Sequence, residues 1–213
     1  MGANCCNAAS SCATTRLTKR YRTILWLALV VNLGMFAVEI IAGVRADSVS
    51  LLADSLDFLG DAANYGISLL VLGMSLTLRA RASLFKALCM LVFGVGVLIA
   101  AIWHLLSGQV PDAPTMGLVG SLALLANVGV AALLYAYREG DSNMRSVWLC
   151  SRNDALGNIA VLLAALGVFG TGSAWPDLLV ASLMAGLAVT SSYQVMRHAR
   201  QELAEDAETK AVV

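Results

Sequence analysis

Apolar residues run along this chain in six long blocks, near 23–44, 48–78, 84–106, 115–137, 144–170 and 175–196. A helix needs about 20 mainly apolar residues to cross the hydrocarbon core of a bilayer, so each block predicts one transmembrane helix. The breaks between blocks carry polar or turn-forming residues. They are Arg45-Ala46-Asp47, Arg79-Ala80-Arg81, Pro111-Asp112-Ala113-Pro114, Arg138-Glu139-Gly140-Asp141 and Gly170-Thr171-Gly172-Ser173, the last followed by Trp175-Pro176. No break is long enough to hold a folded domain. The expected fold is therefore an all-α integral membrane protein, a bundle of six transmembrane helices. Its expected organisation is a Cys-containing cytoplasmic tail over 1–22, a six-helix membrane domain over 23–198 and a short acidic cytoplasmic tail over 199–213.

Composition agrees, with 59% hydrophobic and 13% charged residues and a mean hydropathy of +0.76. The formal net charge is zero, but the cations are not evenly placed. Arg16, Lys19, Arg20 and Arg22, then Arg79, Arg81 and Lys86, then Arg138 and Arg145, then Arg197 and Arg200 fall at alternate breaks, whereas the other side carries Arg45 alone. The positive-inside rule puts both termini in the cytoplasm. The expected location is multi-pass in a membrane, with lipid as surroundings, and specifically a bacterial inner membrane. Basic residues border apolar spans and form no patch interleaved with aromatics, which excludes nucleic acid as a partner. Polar and small residues open the chain, so no cleavable signal peptide is expected. Cys6 occupies the position where myristoylation requires Ser or Thr. Cys5, Cys6 and Cys12 in the tail and Cys89 and Cys150 in or beside spans form no disulfide framework.

The chemistry lies where this pattern is interrupted. Asp54, Asp57 and Asp61 occur inside the second apolar block at offsets of three and four, which stack on one face of a helix. Carboxylates at membrane depth are costly unless they face the bundle interior and find protons, cations or partners. The fifth block supplies a matching face, Cys150, Asp154 and Asn158, at intervals of four. In the expected orientation the two helices run antiparallel, with Asp61 and Asp154 nearer the cytoplasm and Asp57 and Asn158 deeper. Asp57, Asp61, Asp154 and Asn158 suit a divalent cation, whose charge offsets their mutual repulsion; protons take its place when it leaves. Asp54 and Cys150 are candidate accessory contacts. The competing reading, that these groups merely hydrogen-bond helices together, accounts less well for matched pairs on two spans.

In these residues the sequence resembles the cation diffusion facilitator family of divalent-metal transporters. Besides the two pairs, the likeness is carried by Asn32 and Glu39 in the first span, the run Ser48-Val49-Ser50-Leu51-Leu52-Ala53-Asp54 and Asn127 in the fourth span. The resemblance implies a homodimer that moves zinc or a similar ion out of the cytoplasm in exchange for protons by alternating access. The metal is then cargo, with no permanently bound cofactor expected. Three departures stand out. The fifth span reads Asp154-x-x-x-Asn158 where the family commonly has His-x-x-x-Asp, no His-rich loop joins the fourth and fifth spans, and the usual cytoplasmic domain after the sixth span is not expected in a chain ending at Val213. Oxygen ligands suit harder ions such as manganese, with cobalt, nickel and iron also open, while the family places zinc and cadmium first.

Other residues are assigned lesser roles. Glu39 and Asn32 are expected to pair or to support the site. His104 and His198 fall near opposite membrane faces and are read as interfacial. Cys5, Cys6 and Cys12 fit either capture of a soft metal or a plain tail. Gly94 with Gly96, Gly117 with Gly120, and Ser182 with Gly186 are candidate close helix contacts, the third span being a candidate dimer face. An Asp-x-x-x-Asp pair also occurs in metal-dependent lipid phosphatidyltransferases, but their longer signature is absent, so an intramembrane enzyme is disfavoured and no catalytic residue is expected.

Overall fold

A computed structural model describes the backbone of residues 19–70, 76–137 and 142–212; side chains at 76, 79, 137, 142–153 and 205–212 are outside the described set. The tail with Cys5, Cys6 and Cys12, the break Arg138–Asp141 and the side chain of Cys150 therefore lie outside the described residues. Six α-helices make up the described chain: α1 (Lys19–Arg45), α2 (Val49–Leu70), α3 (Leu76–Ser107), α4 (Ala113–Leu134), α5 (Ser142–Thr171) and α6 (Trp175–Val212). A short 3-10 turn, Tyr135–Tyr137, extends α4.

Two boundaries differ from the apolar pattern. The break expected at Arg79–Arg81 belongs to α3, which begins at Leu76, and α2 ends at Leu70 well short of 78. Arginines continue a helix readily and reach the interface with long side chains, so a basic cluster at a membrane face need not interrupt one. The last helix continues to Val212, through the stretch expected to be a short acidic tail. Five helices are long and apolar enough to cross a membrane. The exception is α2, whose three aspartates dilute 22 otherwise mainly apolar or small residues. The chain is a multi-pass membrane protein, and its large apolar side chains point outward, as Leu106 (79% exposed) and Phe169 (78%) do.

Helix α2 is the inner one. No residue from Val49 to Leu69 is exposed, and the helix packs against α1, α3, α5 and α6. Apolar clusters bracket it. Tyr21, Leu25 and Ala28 meet Tyr65, Leu69, Val130 and Leu134 around its C-terminal end. Around its N-terminal half, Val49, Ala53 and Leu56 pack with residues of α3 and α6, and Leu51 with residues of α4 and α5. Close approach depends on two glycines. A Cβ at Gly43 would fall 2.8 Å from Leu52 Cδ2, and one at Gly167 2.8 Å from Pro176 Cβ, so the α1–α2 and α5–α6 hairpins both close on a bare Cα. Gly94 is likewise used inside the bundle, with Val189 Cγ2 3.1 Å from where its Cβ would stand, so the face of α3 that carries it is an α6 contact. Gly96 meets nothing.

The first turn of α2 is fastened to α6. Asp177, buried two residues into α6, accepts hydrogen bonds from Ser48 Oγ (2.7 Å), Val49 N (2.9 Å), Ser50 N (3.1 Å) and Ser50 Oγ (2.6 Å). Helix N-termini leave amides without intrahelical partners, and an anion there meets both those donors and the positive end of the helix dipole. Here the cap comes from another helix. The preceding turn places Asp47 at φ 50°, a left-handed conformation that a short polar side chain tolerates. Two carbonyls of nearby turns also accept amides, with Asp112 N donating to Ala46 O at 2.9 Å and Ser48 N to Gly43 O at 2.9 Å. Asp112 caps α4 in turn, accepting from Thr115 N at 3.0 Å and from the Thr115 hydroxyl.

Two outcomes are expected. Asp177→Ala strips a buried acceptor from two amides and two hydroxyls and should cost roughly 1–3 kcal/mol. Thermal unfolding of the purified protein in detergent measures this; an unchanged midpoint would show that the cap contributes nothing. The hydroxyl and then the amide of Thr115 hold the exposed Asp112 carboxyl below its ordinary range. A carboxyl lowered by folding stabilises fully above its unfolded value, about 4, and loses that contribution as pH falls through the folded value. Hydrogen exchange at the Thr115 amide should therefore show protection that declines on acidification below about pH 4, and Asp112→Ala should abolish that dependence.

Candidate metal-binding site

The offsets of three and four turn Asp54, Asp57 and Asp61 toward different neighbours along one side of α2. Asp61, at the cytoplasmic end in the expected orientation, meets α5: its carboxyl stands close to that of Asp154, and Tyr65, one turn on, donates to Asp61 Oδ2 at 2.7 Å. One turn earlier, Asp57 Oδ2 faces α5 at Gly157, 4.0 Å from the position a Cβ there would take. Asn158 is the next residue. It is fully buried, and neither its Oδ1 nor its Nδ2 has a hydrogen-bond partner among the described residues. Residue 61 thus stands near 154 and residue 57 near 157, one residue from the Asn158 that Asp57 was expected to meet. Asp54 turns the other way, toward α1, where its carboxyl meets Glu39.

Both couples, Asp61 with Asp154 and Glu39 with Asp54, set carboxyl against carboxyl. Ionised carboxylates only accept, so a hydrogen bond between two requires a proton in the pair, and a cation can replace that proton. Asp54 and Glu39 are both buried, and both Glu39 oxygens lack a protein donor. Among the described residues no three of His, Cys, Asp or Glu stand close enough to share one metal ion. The acidic groups are strung along α2 rather than drawn to a point.

Three carboxamides lie in the same interior. Asn32 Nδ2 donates to Ala28 O at 2.8 Å, while its Oδ1 and that of Asn127 are buried without a protein partner. Asn32 and Glu39 were expected to pair or to support the site; Asn32 instead donates within its own helix, to Ala28 O, and the Glu39 carboxyl lies near that of Asp54. His104 ends α3 and His198 lies in the second half of α6. These two helices pack antiparallel, with Val97 and Ala101 against Leu178, Ala181 and Ala185, so the histidines sit at opposite ends. Two residues of consequence were missed. Asp177 gave one sequence signal, an acid in the first turn after Trp175-Pro176. Lys86 was counted only among the basic residues of a membrane face, yet it is half-buried and donates to Asn64 Oδ1 on α2.

A membrane bundle with one enclosed helix, whose stripe of carboxylates faces a polar stripe on another, has the construction of an ion-handling protein. The match to known proteins is specific. Residues 25–204 match the cation efflux transmembrane domain, and the chain belongs to that family. It is 26% identical over 196 residues to the zinc transporter ZitB of Escherichia coli, covering 86% of this chain and 63% of the relative. It is 23% identical to the cadmium, cobalt and zinc/H(+)-K(+) antiporter of Bacillus subtilis (83% and 61% covered), and 25% identical to the metal cation efflux system protein CzcD of Cupriavidus metallidurans (75% and 54%). The chain thus spans less than two thirds of the length of these curated relatives.

The contact at Gly157 generates a prediction. A Cβ there would lie 3.6 Å from Met184 Cε and 4.0 Å from Asp57 Oδ2, ordinary contact distances. Gly157→Ala should therefore unfold within about 1 kcal/mol of the natural protein, whereas Gly157→Leu should lose roughly 1–3 kcal/mol by overpacking. Equal melting of the two variants would show that α5 does not press on Asp57.

Proposed function

We propose that this protein exports a divalent metal cation, zinc or cadmium, in exchange for protons through a site made of Asp57, Asp61, Asp154 and Asn158. The observation that supports the reading is the approach of the acidic stripe of α2 to α5, where Asp57 Oδ2 lies 4.0 Å from the position a Cβ of Gly157 would take, next in sequence to the buried Asn158. Membership of the cation efflux family supports transport rather than enzymology, as do the metal-transport activities for which the relatives are named.

In this reading all six helices span the membrane, α2 sheltered by the others. Both termini face the cytoplasm, so that 1–22 and 199–213 flank a membrane domain over 23–198. The setting is a bacterial inner membrane, and the working unit is a homodimer. An ion arriving from the cytoplasm meets Asp61 and Asp154 first. Its charge replaces the proton between them and draws Asp57 and the Asn158 amide oxygen inward, completing a ligand set that is spread out in the present arrangement. On the far side, protons reload the carboxyls and release the ion. Asp54 and Glu39 continue the line of carboxyls beyond Asp57, and Asp54 is an accessory contact on that path, as Cys150 is at the cytoplasmic end. The oxygen-only core favours harder ions on chemical grounds, which keeps manganese, iron, cobalt and nickel as alternative cargo.

Replacing Asp57, Asp61 or Asp154 by Ala is expected to abolish zinc uptake into inside-out vesicles while insertion persists, and Asn158→Ala to reduce it less. A pH-sensitive dye trapped in the vesicles should report alkalinisation as metal enters. Undiminished flux in the Asp57 and Asp154 variants would remove the site, and flux without proton movement would replace exchange by a uniport or channel.

A further inference from the structure

Helix α3 places a cation at the end of the acidic stripe. The register is set by Met90, whose Cε lies 3.1 Å from where a Cβ of Gly60 would stand. Lys86, one turn earlier on α3, donates from its ammonium to Asn64 Oδ1 on α2. Asn64 follows Asp61 by three residues and so shares its side of the helix. The ammonium attracts the Asp61 carboxylate from this position. Its hydrogen-bond partner is nevertheless a neutral amide, while Asp61 is engaged by Tyr65 and Asp154.

We propose that Lys86 is a tethered counter-cation of the acidic site, repelling the metal ion that binds at Asp61 and taking over the Asp61 carboxylate as that ion leaves. The inference rests on the reading of Asp61 as a metal ligand. A lysine suits the role because its compact charge rides on a flexible four-carbon stem with three donors. Held on Asn64, the charge is within one helical turn of Asp61 without blocking it. A purely structural lysine would gain more from the carboxylate itself than from the amide beside it. The functional consequence is a limit on affinity. An exporter must bind its ion firmly enough to load and weakly enough to release, and a nearby fixed charge moves that balance toward release.

The test uses the full chain, purified, with zinc as the probe. Calorimetry gives zinc affinity, and flux into proteoliposomes gives the concentration dependence and maximal rate. Lys86→Gln, which keeps the stem and a donor but removes the charge, should bind zinc roughly tenfold more tightly. A unit charge facing a divalent ion across several ångströms gives about that much even at the dielectric of bulk water, so tenfold is the lower end of the expected effect. It should also transport at a lower maximal rate and half-saturate at lower zinc. Lys86→Arg, which keeps the charge, should remain near the natural protein. Asn64→Ala removes the resting partner and leaves the ammonium only Asp61, so it should shift affinity the opposite way, toward weaker binding. Damage to packing would not give shifts of opposite sign. If the natural protein transports zinc but Lys86→Gln binds it no more tightly, or Lys86→Arg binds as tightly as Lys86→Gln, the inference is overturned alone. If the natural protein neither binds nor moves zinc, the reading of Asp61 as a ligand fails and takes the inference with it.

Discussion

Everything in this bundle follows from the need to keep the carboxyl groups of α2 out of lipid. A charged group at membrane depth is tolerated only where it faces other protein groups, an ion or water, and α2 carries three within eight residues, Asp54 to Asp61. One protected face would suffice for a single acid. Because this one stripe meets α1 at Asp54 and α5 at Asp57 and Asp61, more than one neighbour must cover α2. The helix is accordingly packed by α1, α3, α5 and α6, and the lipid-facing work falls to the five more apolar helices. Small residues make this possible. Gly43 and Gly60 let the neighbours of α2 come close enough to shut its flanks.

Enclosure creates a second demand, at the end of α2. The first amides of a helix lack internal acceptors, and water is scarce beside a bundle interior. Asp177 meets that demand from α6, joining its carboxylate to two backbone amides and two serine hydroxyls. The Ser48-Val49-Ser50 segment thus has a physical explanation: each serine adds a hydroxyl donor where the chain enters the helix. It also fixes one end of α2 to α6 while the acidic turns face α1 and α5. A helix anchored at one end and held by carboxyl contacts along its length can change those contacts without losing its place.

Much of this was legible in the pattern of apolar residues. Six apolar blocks correspond to six helices, and two i, i+4 pairs foretold which faces of α2 and α5 meet, because helical periodicity and antiparallel packing leave few other registers. The misses have physical causes. Arg79 and Arg81 looked like a break, yet basic residues are good helix formers, and nothing local distinguishes a basic loop from a basic first turn. The partner of Glu39 was sought in its own helix at Asn32, whereas the pairing is between helices, with Asp54, and sequence spacing does not report such contacts. Gly94 was a candidate for contact between protomers; a small residue signals close approach without saying to what, and here the answer is Val189 of α6. Lys86 was hidden by the positive-inside rule, which counts cations near membrane faces and is blind to where their long side chains lead.

The arrangement of the acids also bears on how charge is conserved during a cycle. The two carboxyl couples, Glu39 with Asp54 and Asp61 with Asp154, stand on either side of Asp57 along the helix. Each couple needs a proton or a cation to hold together, since two ionised carboxylates offer no donor. On the proposed reading, a divalent ion passing from one couple toward the other displaces protons ahead of it and leaves carboxyls behind it to be neutralised again. Asp57 lies between the two couples and faces Gly157, next in sequence to Asn158, whose carboxamide can donate through nitrogen or accept through oxygen without changing charge. A fourth carboxylate in that place would add another charge to neutralise at each turnover. The carboxamide supplies an oxygen without it, so the number of charges that must change hands is set by the acids of α2 and their two partners.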